Sequence, residues 1–199
     1  MTLSKGQNPN HPKLGDQTKV EPIRTKTGIK RIRKLLAGRP RDLCLFTLGI
    51  NTAYRASELL SLRAGQVRHL EAGQVLEIKQ RKTKKYRKVT LNKACIAAIR
   101  DLLDSRPYED GAPLFMGQRG PLQIPTVSTM VKHWCRDAGL KGNYGSHSLR
   151  KTWGYWQRVE RKTPVPLLMA AFGHATQQQT LAYLGIQEEE IQDIFAFEL

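Results

Sequence analysis

Two apolar rhythms alternate along this chain, and the switch between them bounds what it can fold into. Ile29, Ile32, Leu35 and Leu36 recur at helical spacing, with arginines and lysines taking the other face. From residue 67 the rhythm changes. Residues 67–70, 75–80 and 87–91 are strand-like runs separated by EAG and by RKTKKY, a pattern that predicts a small antiparallel meander. Helical patterns resume near Lys93 with ACIAAIRDLLDSR and near Thr126 with VSTMVKHWCRDAGL, then in the shorter segments SHSLRKTWGYWQRV, PLLMAAFGH and QQQTLAYLG. The expected fold is α+β: mostly helical, interrupted by one small antiparallel three-stranded sheet.

The 199 residues suffice for a single core. Residues 1–25, rich in Gly, Pro, Asn and Lys without period, read as a flexible basic arm, residues 26–186 as the folded domain and residues 187–199 as a tail helix. Pro40 opens a helix whose RDLCLFTLGINTAY is apolar enough to be central, and Ser57 is placed to cap another carrying Leu59, Leu60 and Leu62.

Charge narrows the partners. A formal net charge of +16 speaks of what the surface meets, and its commonest partner is nucleic acid. No apolar run approaches the roughly 18 residues of a membrane span, and the N-terminus lacks the apolar core of a signal peptide, so a soluble cytoplasmic protein is expected. Cys44, Cys95 and Cys135 are odd in number, far apart and set among apolar neighbours, which predicts reduced core thiols. No CxxC or HExxH spacing offers a zinc site, and the acidic cluster Glu188, Glu189 and Glu190 reads as a solvated helix face; no metal and no cofactor is expected.

Six side chains stand out. Arg55, between two apolar segments, needs an anionic partner, either Glu58 three residues on or a phosphate bound by its planar fork. The hairpin tip concentrates cations, Lys79, Arg81, Lys82, Lys84, Lys85 and Arg87 among them, and is shaped to enter a groove and place a lysine at a phosphodiester. His147 and Arg150, three apart, share a face of the first turn of a helix. Gly173-His174 precedes a run of small and amide side chains that ends at Tyr183. Two arginines, two histidines, a lysine and a tyrosine are what metal-free attack on a phosphodiester requires: cations for the developing charge, proton carriers, an acid for the leaving oxygen and a nucleophile.

These residues carry a resemblance to the tyrosine recombinases, the phage-integrase family, from about Lys30 to Gly185. TAYRASELLSLR resembles the box holding the first catalytic arginine (Arg55) and its acidic companion (Glu58). KTKKYRKVTL is similar to the lysine hairpin and aligns Lys82, with Lys84 or Lys85 able to take its register. HSLR supplies His147 and Arg150, and FGHATQQQTLAY supplies His174 and Tyr183 nine positions on. Ala53, Thr90 and Phe172 replace the usual Gly, Pro and Leu, and Lys151 stands where a second histidine often follows.

The resemblance implies cleavage and rejoining of double-stranded DNA through a 3′-phosphotyrosine, without metal or ATP. It also implies an amide-rich linker letting Tyr183 swing to the phosphate, DNA contacts from Lys79, Arg81, Lys84, Lys85, Arg87 and Lys151, and accessory DNA-bending proteins. Most members carry a DNA-clamping domain before the catalytic one, whereas the length here resembles the short fimbrial-switch recombinases. The stripe Ile191, Ile194, Phe195, Phe197 and Leu199 suggests a tail exchanged between protomers of a tetramer. A non-cutting DNA-binding regulator of the same fold and a type IB topoisomerase remain as alternatives, as does a basic RNA-binding or nucleoid protein.

Overall fold

Helix α2 (Pro40–Asn51) is the axis of the molecule because its apolar residues leave no polar stripe. Cys44, Leu45, Phe46 and Leu48 are all fully buried. Proline at its first position gives up no intrahelical bond, and the helix packs against α5 (Lys93–Asp104) and α7 (Ser146–Val159). The α7 contact is close: a Cβ on Gly49 would lie 2.6 Å from Leu149 Cδ1, so only glycine lets α7 come this near. Leu149 precedes Arg150, and the approach at Gly49 therefore sets where Arg150 stands relative to the end of α2.

The computed structural model describes residues 20–79, 86–186, 192, 194–196 and 198. Arg81, Lys82, Lys84 and Lys85, the three consecutive glutamates and most of the tail lie outside the described residues. Before α2, α1 (Lys26–Leu35) starts on a Thr25 cap, whose hydroxyl accepts from Gly28 N at 3.1 Å, and buries Ile32. After α2, Ala53 takes a left-handed conformation (φ 55°), the chain turns, and one helical turn, α3 (Ala56–Leu59), follows. Arg55 occupies the cap of α3 in place of the expected Ser57.

Residues 67–70 form no strand. Gln66 Oε1 accepts from Arg63 N at 2.8 Å and closes a single turn, α4 (Ala64–Val67), that buries Val67, and Leu70 N then bonds back to Val67 O at 3.2 Å. A four-residue apolar run cannot tell a strand from a helical turn, and local capping decides it. The sheet is thus the antiparallel pair β1 (Val75–Lys79) and β2 (Tyr86–Thr90), in register Val75↔Thr90 to Lys79↔Tyr86, with Leu76 and Ile78 turned into the core. A second, minimal pair, β3 (Met116–Gly117) with β4 (Gly120–Pro121), follows α5.

α6 (Ile124–Asp137) lays Trp134 edge-on to Phe46, ring centroids 6.2 Å apart. α8 (Val165–Phe172) and α9 (Gln177–Leu184) pack on the end of α7, around a second small cluster of Ala53, Leu168, Phe172 and Leu184. Ordered packing starts ahead of the expected boundary at residue 26. Ile23 is fully buried, its N–H donates to Thr152 Oγ1 at 2.8 Å, and its carbonyl accepts from Trp156 Nε1 at 3.0 Å, so residues 20–24 strap α7. All three cysteines are free and buried, their thiols pushed up by desolvation. No helix among the described residues is long and apolar enough to cross a membrane.

Candidate active site

Glu58 organises the site. The residue is 6% exposed, and its Oε2 accepts from the backbone N of Arg55 at 2.6 Å, the reciprocal half of a cap on α3. The same carboxylate meets three guanidiniums: Arg55 at 3.2 Å, Arg87 at 3.2 Å and Arg150 at 3.9 Å. Three guanidiniums facing one carboxylate leave the cluster cationic. Arg150 is only 2% exposed, and it satisfies its fork on two carbonyls, those of Ala53 and Phe172. The left-handed turn at Ala53 and the end of α8 supply those acceptors, so Arg150 is fixed by backbone. Burial pulls its pKa down to about 10, which still leaves it charged at neutral pH.

The histidines flank the nucleophile candidate. His147, in the first turn of α7, places Nδ1 3.3 Å from the Tyr183 hydroxyl. Gly173 ends α8 in the left-handed region (φ 63°) and turns the chain so that the His174 ring stacks on Phe172, 4.9 Å between centroids and 17° from parallel. His174 Nδ1 lies 3.0 Å from Thr180 Oγ1, a fully buried hydroxyl. Burial first, and then the Arg150 and Arg55 charges, depress both imidazoles, His174 to about 4, so both rings are neutral at pH 7.

Tyr183 sits half-buried on α9, between the buried Thr180 and Leu184. The amide run expected as a linker is helical: Gln177, Gln178 and Gln179 form the first turn of α9, capped by Thr176, whose hydroxyl accepts from Gln179 N at 3.1 Å. The Tyr183 ring lies 5.9 Å from the Arg150 guanidinium carbon and 5.1 Å from Lys151 Nζ. Burial raises the phenol's pKa, and Arg150 and Arg55 pull against it.

The structure brings Arg55, Glu58, His147, Arg150, His174 and Tyr183 into one cluster, with Lys151 at its edge. Lys79 is exposed at the end of β1, its ammonium 5.5 Å from the Tyr86 ring centre. Arg87 departs from its expected place on the DNA-facing side of the hairpin. Its side chain is 12% exposed and turns inward to Glu58, to the carbonyl of Ala171 and over the Tyr54 ring at 5.4 Å. Strand parity carried this signal, since Arg87 alternates in phase with Val89 and Leu91 and so belongs to the inner face. Thr180 as the partner of His174 and the left-handed turn at Ala53 were also missed. Among the described residues no group of His, Cys, Asp and Glu could hold a metal ion.

The phage integrase family profile matches residues 25–190, most of the chain. The chain belongs to the phage integrase family, the tyrosine recombinases. It is 29% identical over 173 residues to the probable integrase/recombinase YoeC of Bacillus subtilis (strain 168), a match covering 85% of this chain and 92% of that one. It is 28% identical over 158 residues to the tyrosine recombinase XerC of Caldanaerobacter subterraneus subsp. tengcongensis, covering 77% of this chain but 43% of the relative. The XerA recombinase crystal structure superposes with a TM-score of 0.73 at 18% identity, over 91% of this chain and 65% of that one. XerH bound to palindromic difH substrate, a post-cleavage complex, gives 0.70 at 22% identity, over 91% and 54%. This integrase-family chain thus spans nearly all of YoeC and about half of XerC and XerH. The likeness in structure supports the helical fold with its small antiparallel sheets.

Proposed function

We propose that this integrase-family chain cleaves and rejoins double-stranded DNA at a specific site through Tyr183. The supporting observation is the 3.3 Å approach of His147 Nδ1 to the Tyr183 hydroxyl beside the cationic cluster of Arg55, Arg87 and Arg150. A neutral His147 takes the phenolic proton as Tyr183 Oη attacks phosphorus. The new O–P bond leaves a 3′-phosphotyrosine, and the P–O5′ bond breaks. Lys82, carried by the hairpin, gives a proton to the departing 5′ oxygen. Arg55 and Arg150 stabilise the extra negative charge on the non-bridging oxygens, where charge grows in the transition state. His174, neutral and oriented by Thr180, donates a further hydrogen bond. Reversal by another strand's 5′-hydroxyl reseals the backbone with the ester's energy, so the step consumes no ATP.

Double-stranded DNA is the partner, and the tail is donated to a neighbouring copy in a tetramer. The exposure of Ile194 (69%) and Phe195 (80%) favours the latter. The test is denaturing capture of covalent protein–DNA adducts from cells expressing wild type or Tyr183→Phe, with sequencing of the attached DNA. Adducts from the wild type alone, ending at one recurrent sequence, are expected. An adduct from Tyr183→Phe would remove Tyr183 from the role, and none from either protein would favour the non-cutting regulator.

A further inference from the structure

The inward turn of Arg87 joins three elements that otherwise meet little. Its backbone belongs to β2, the strand that leaves the basic hairpin, and Lys82 lies five positions earlier in the chain. One terminal nitrogen reaches Glu58 Oε2 at 3.2 Å, at the carboxylate that also holds the Arg55 backbone and side chain. The other donates to the carbonyl of Ala171, one residue before the end of α8 and three before His174. The plane of the guanidinium lies over Tyr54, whose own hydroxyl is tied to Leu76 O at 2.8 Å on β1. The hairpin is therefore anchored from both strands, by Tyr54 on β1 and by Arg87 on β2, to the turn that presents Arg55.

We propose that Arg87 is a positioning residue: it fixes the hairpin against Glu58 and the end of α8, so that the hairpin's lysine reaches the leaving 5′ oxygen while Arg55 and His174 hold the phosphate. The geometry requires a fork. An ammonium offers a point charge and cannot span the carboxylate and the Ala171 carbonyl with two coplanar N–H groups while covering the Tyr54 ring. A guanidinium this enclosed, already paired with Glu58, has little left to offer a DNA phosphate, which separates Arg87 from the surface lysines near it. The inference rests on the proposed cleavage chemistry and adds to it the device that links acid to phosphate clamp.

Two measurements on the full chain with Arg87→Lys and Arg87→Gln test it. The first is the salt dependence of binding to a random 30-base-pair duplex, which needs no knowledge of the target site. A residue that neutralises a phosphate contributes about 0.9 to the slope of log K against log salt, and a positioning residue contributes nothing. An unchanged slope is expected in both variants, and a fall of about 0.9 in Arg87→Gln would make Arg87 a DNA contact and overturn the proposal.

The second is single-turnover cleavage of the recurrent sequence recovered with the wild type, at saturating DNA, with either an ordinary 5′ oxygen or a bridging sulfur at the scissile position. Sulfur leaves as a thiolate and needs no acid. Cleavage of the oxygen substrate is expected to fall at least tenfold in both variants and to recover on the sulfur substrate, as it does for Lys82→Ala. Loss of a merely structural support would slow both substrates alike. If sulfur restores Lys82→Ala but neither Arg87 variant, Arg87 does not act through the hairpin and the inference fails while the cleavage reading stands. If no wild-type adduct forms, the cleavage reading fails, and the salt slope still decides whether Arg87 faces inward.

Discussion

Ala53 carries a conformation made for glycine. At φ 55° an L-residue with a Cβ costs roughly 1–2 kcal/mol. Glycine there loses about 0.5–1 kcal/mol more chain entropy on folding, so the strain term is the larger. Ala53→Gly also gives up a buried methyl worth about 0.8 kcal/mol, so strain relief and these losses nearly cancel and urea unfolding should shift by less than about 1 kcal/mol. Ala53→Val adds branching at the same turn and should destabilise it. Because the Ala53 carbonyl accepts from Arg150, the valine variant should also slow cleavage more than it weakens DNA binding.

The two depressed imidazoles make stability depend on pH in a definite direction. His174 titrates at about 4 in the folded protein against 6.5 when unperturbed, so between these values the unfolded chain binds more protons than the folded one. Stability contributed by the neutral ring is complete above pH 6.5, declines as pH falls toward 4 and changes no further below that. Thermal midpoints measured from pH 7 to pH 4 should therefore drop, and His174→Gln should flatten part of that drop. An identical profile for the variant would place His174 in a more solvated setting than its stacking on Phe172 implies.

Among the elements, α7 has the most demands placed on it, and its one glycine, Gly154, meets them. A Cβ on Gly154 would stand 2.4 Å from Phe172 Cζ and 3.0 Å from Leu184 Cδ2, and both residues are fully buried. Neither ring nor methyl has room to yield. Gly154→Ala should cost about 1–3 kcal/mol by forcing α8 and α9 away from α7. Since α8 and α9 bracket His174 and carry Tyr183, adduct formation should suffer beyond the loss of stability. Both can be read from one preparation, by chemical unfolding and by adduct yield at a temperature where the variant is folded.

At the scale of the whole molecule the residues before the strap are expected to act through their charge, and the strap through its packing. Residues 1–19 hold Lys5, Lys13 and Lys19, and removing them should lower the salt slope of DNA binding by at most about 2.7, which is 0.9 for each lysine. Folding stability should be unchanged. Continuing the deletion through Thr25 removes the fully buried Ile23 and its bonds to Thr152 and Trp156, and with them the outer support of α7. Loss of a buried isoleucine side chain alone costs about 2–5 kcal/mol, so the longer deletion is expected to unfold at markedly lower urea. Equal unfolding midpoints for the two deletions would mean the strap adds nothing.

The sequence by itself determined the helical character, the place of the small sheet, the reduced state of the cysteines and the residues gathered at the site. Each of these rests on local period or on residue chemistry: a helix as rich in apolar residues as α2 has to be central wherever it lies, and a buried Arg150 has to find acceptors. Tertiary structure decided the rest. Whether residues 67–70 made a strand depended on a Gln66 cap and on Ala112 accepting from Ala64 at 3.0 Å, a partner remote in the chain. The burial of Ile23 required a groove that α7 provides, which nothing in a polar, unpatterned arm announces. Arg87 was written into a basic run as one cation among many. Only the convergence of β2, α3 and α8 turned it from a surface charge into a buried fork, because a guanidinium's partners are set by the elements around it and not by its neighbours in sequence.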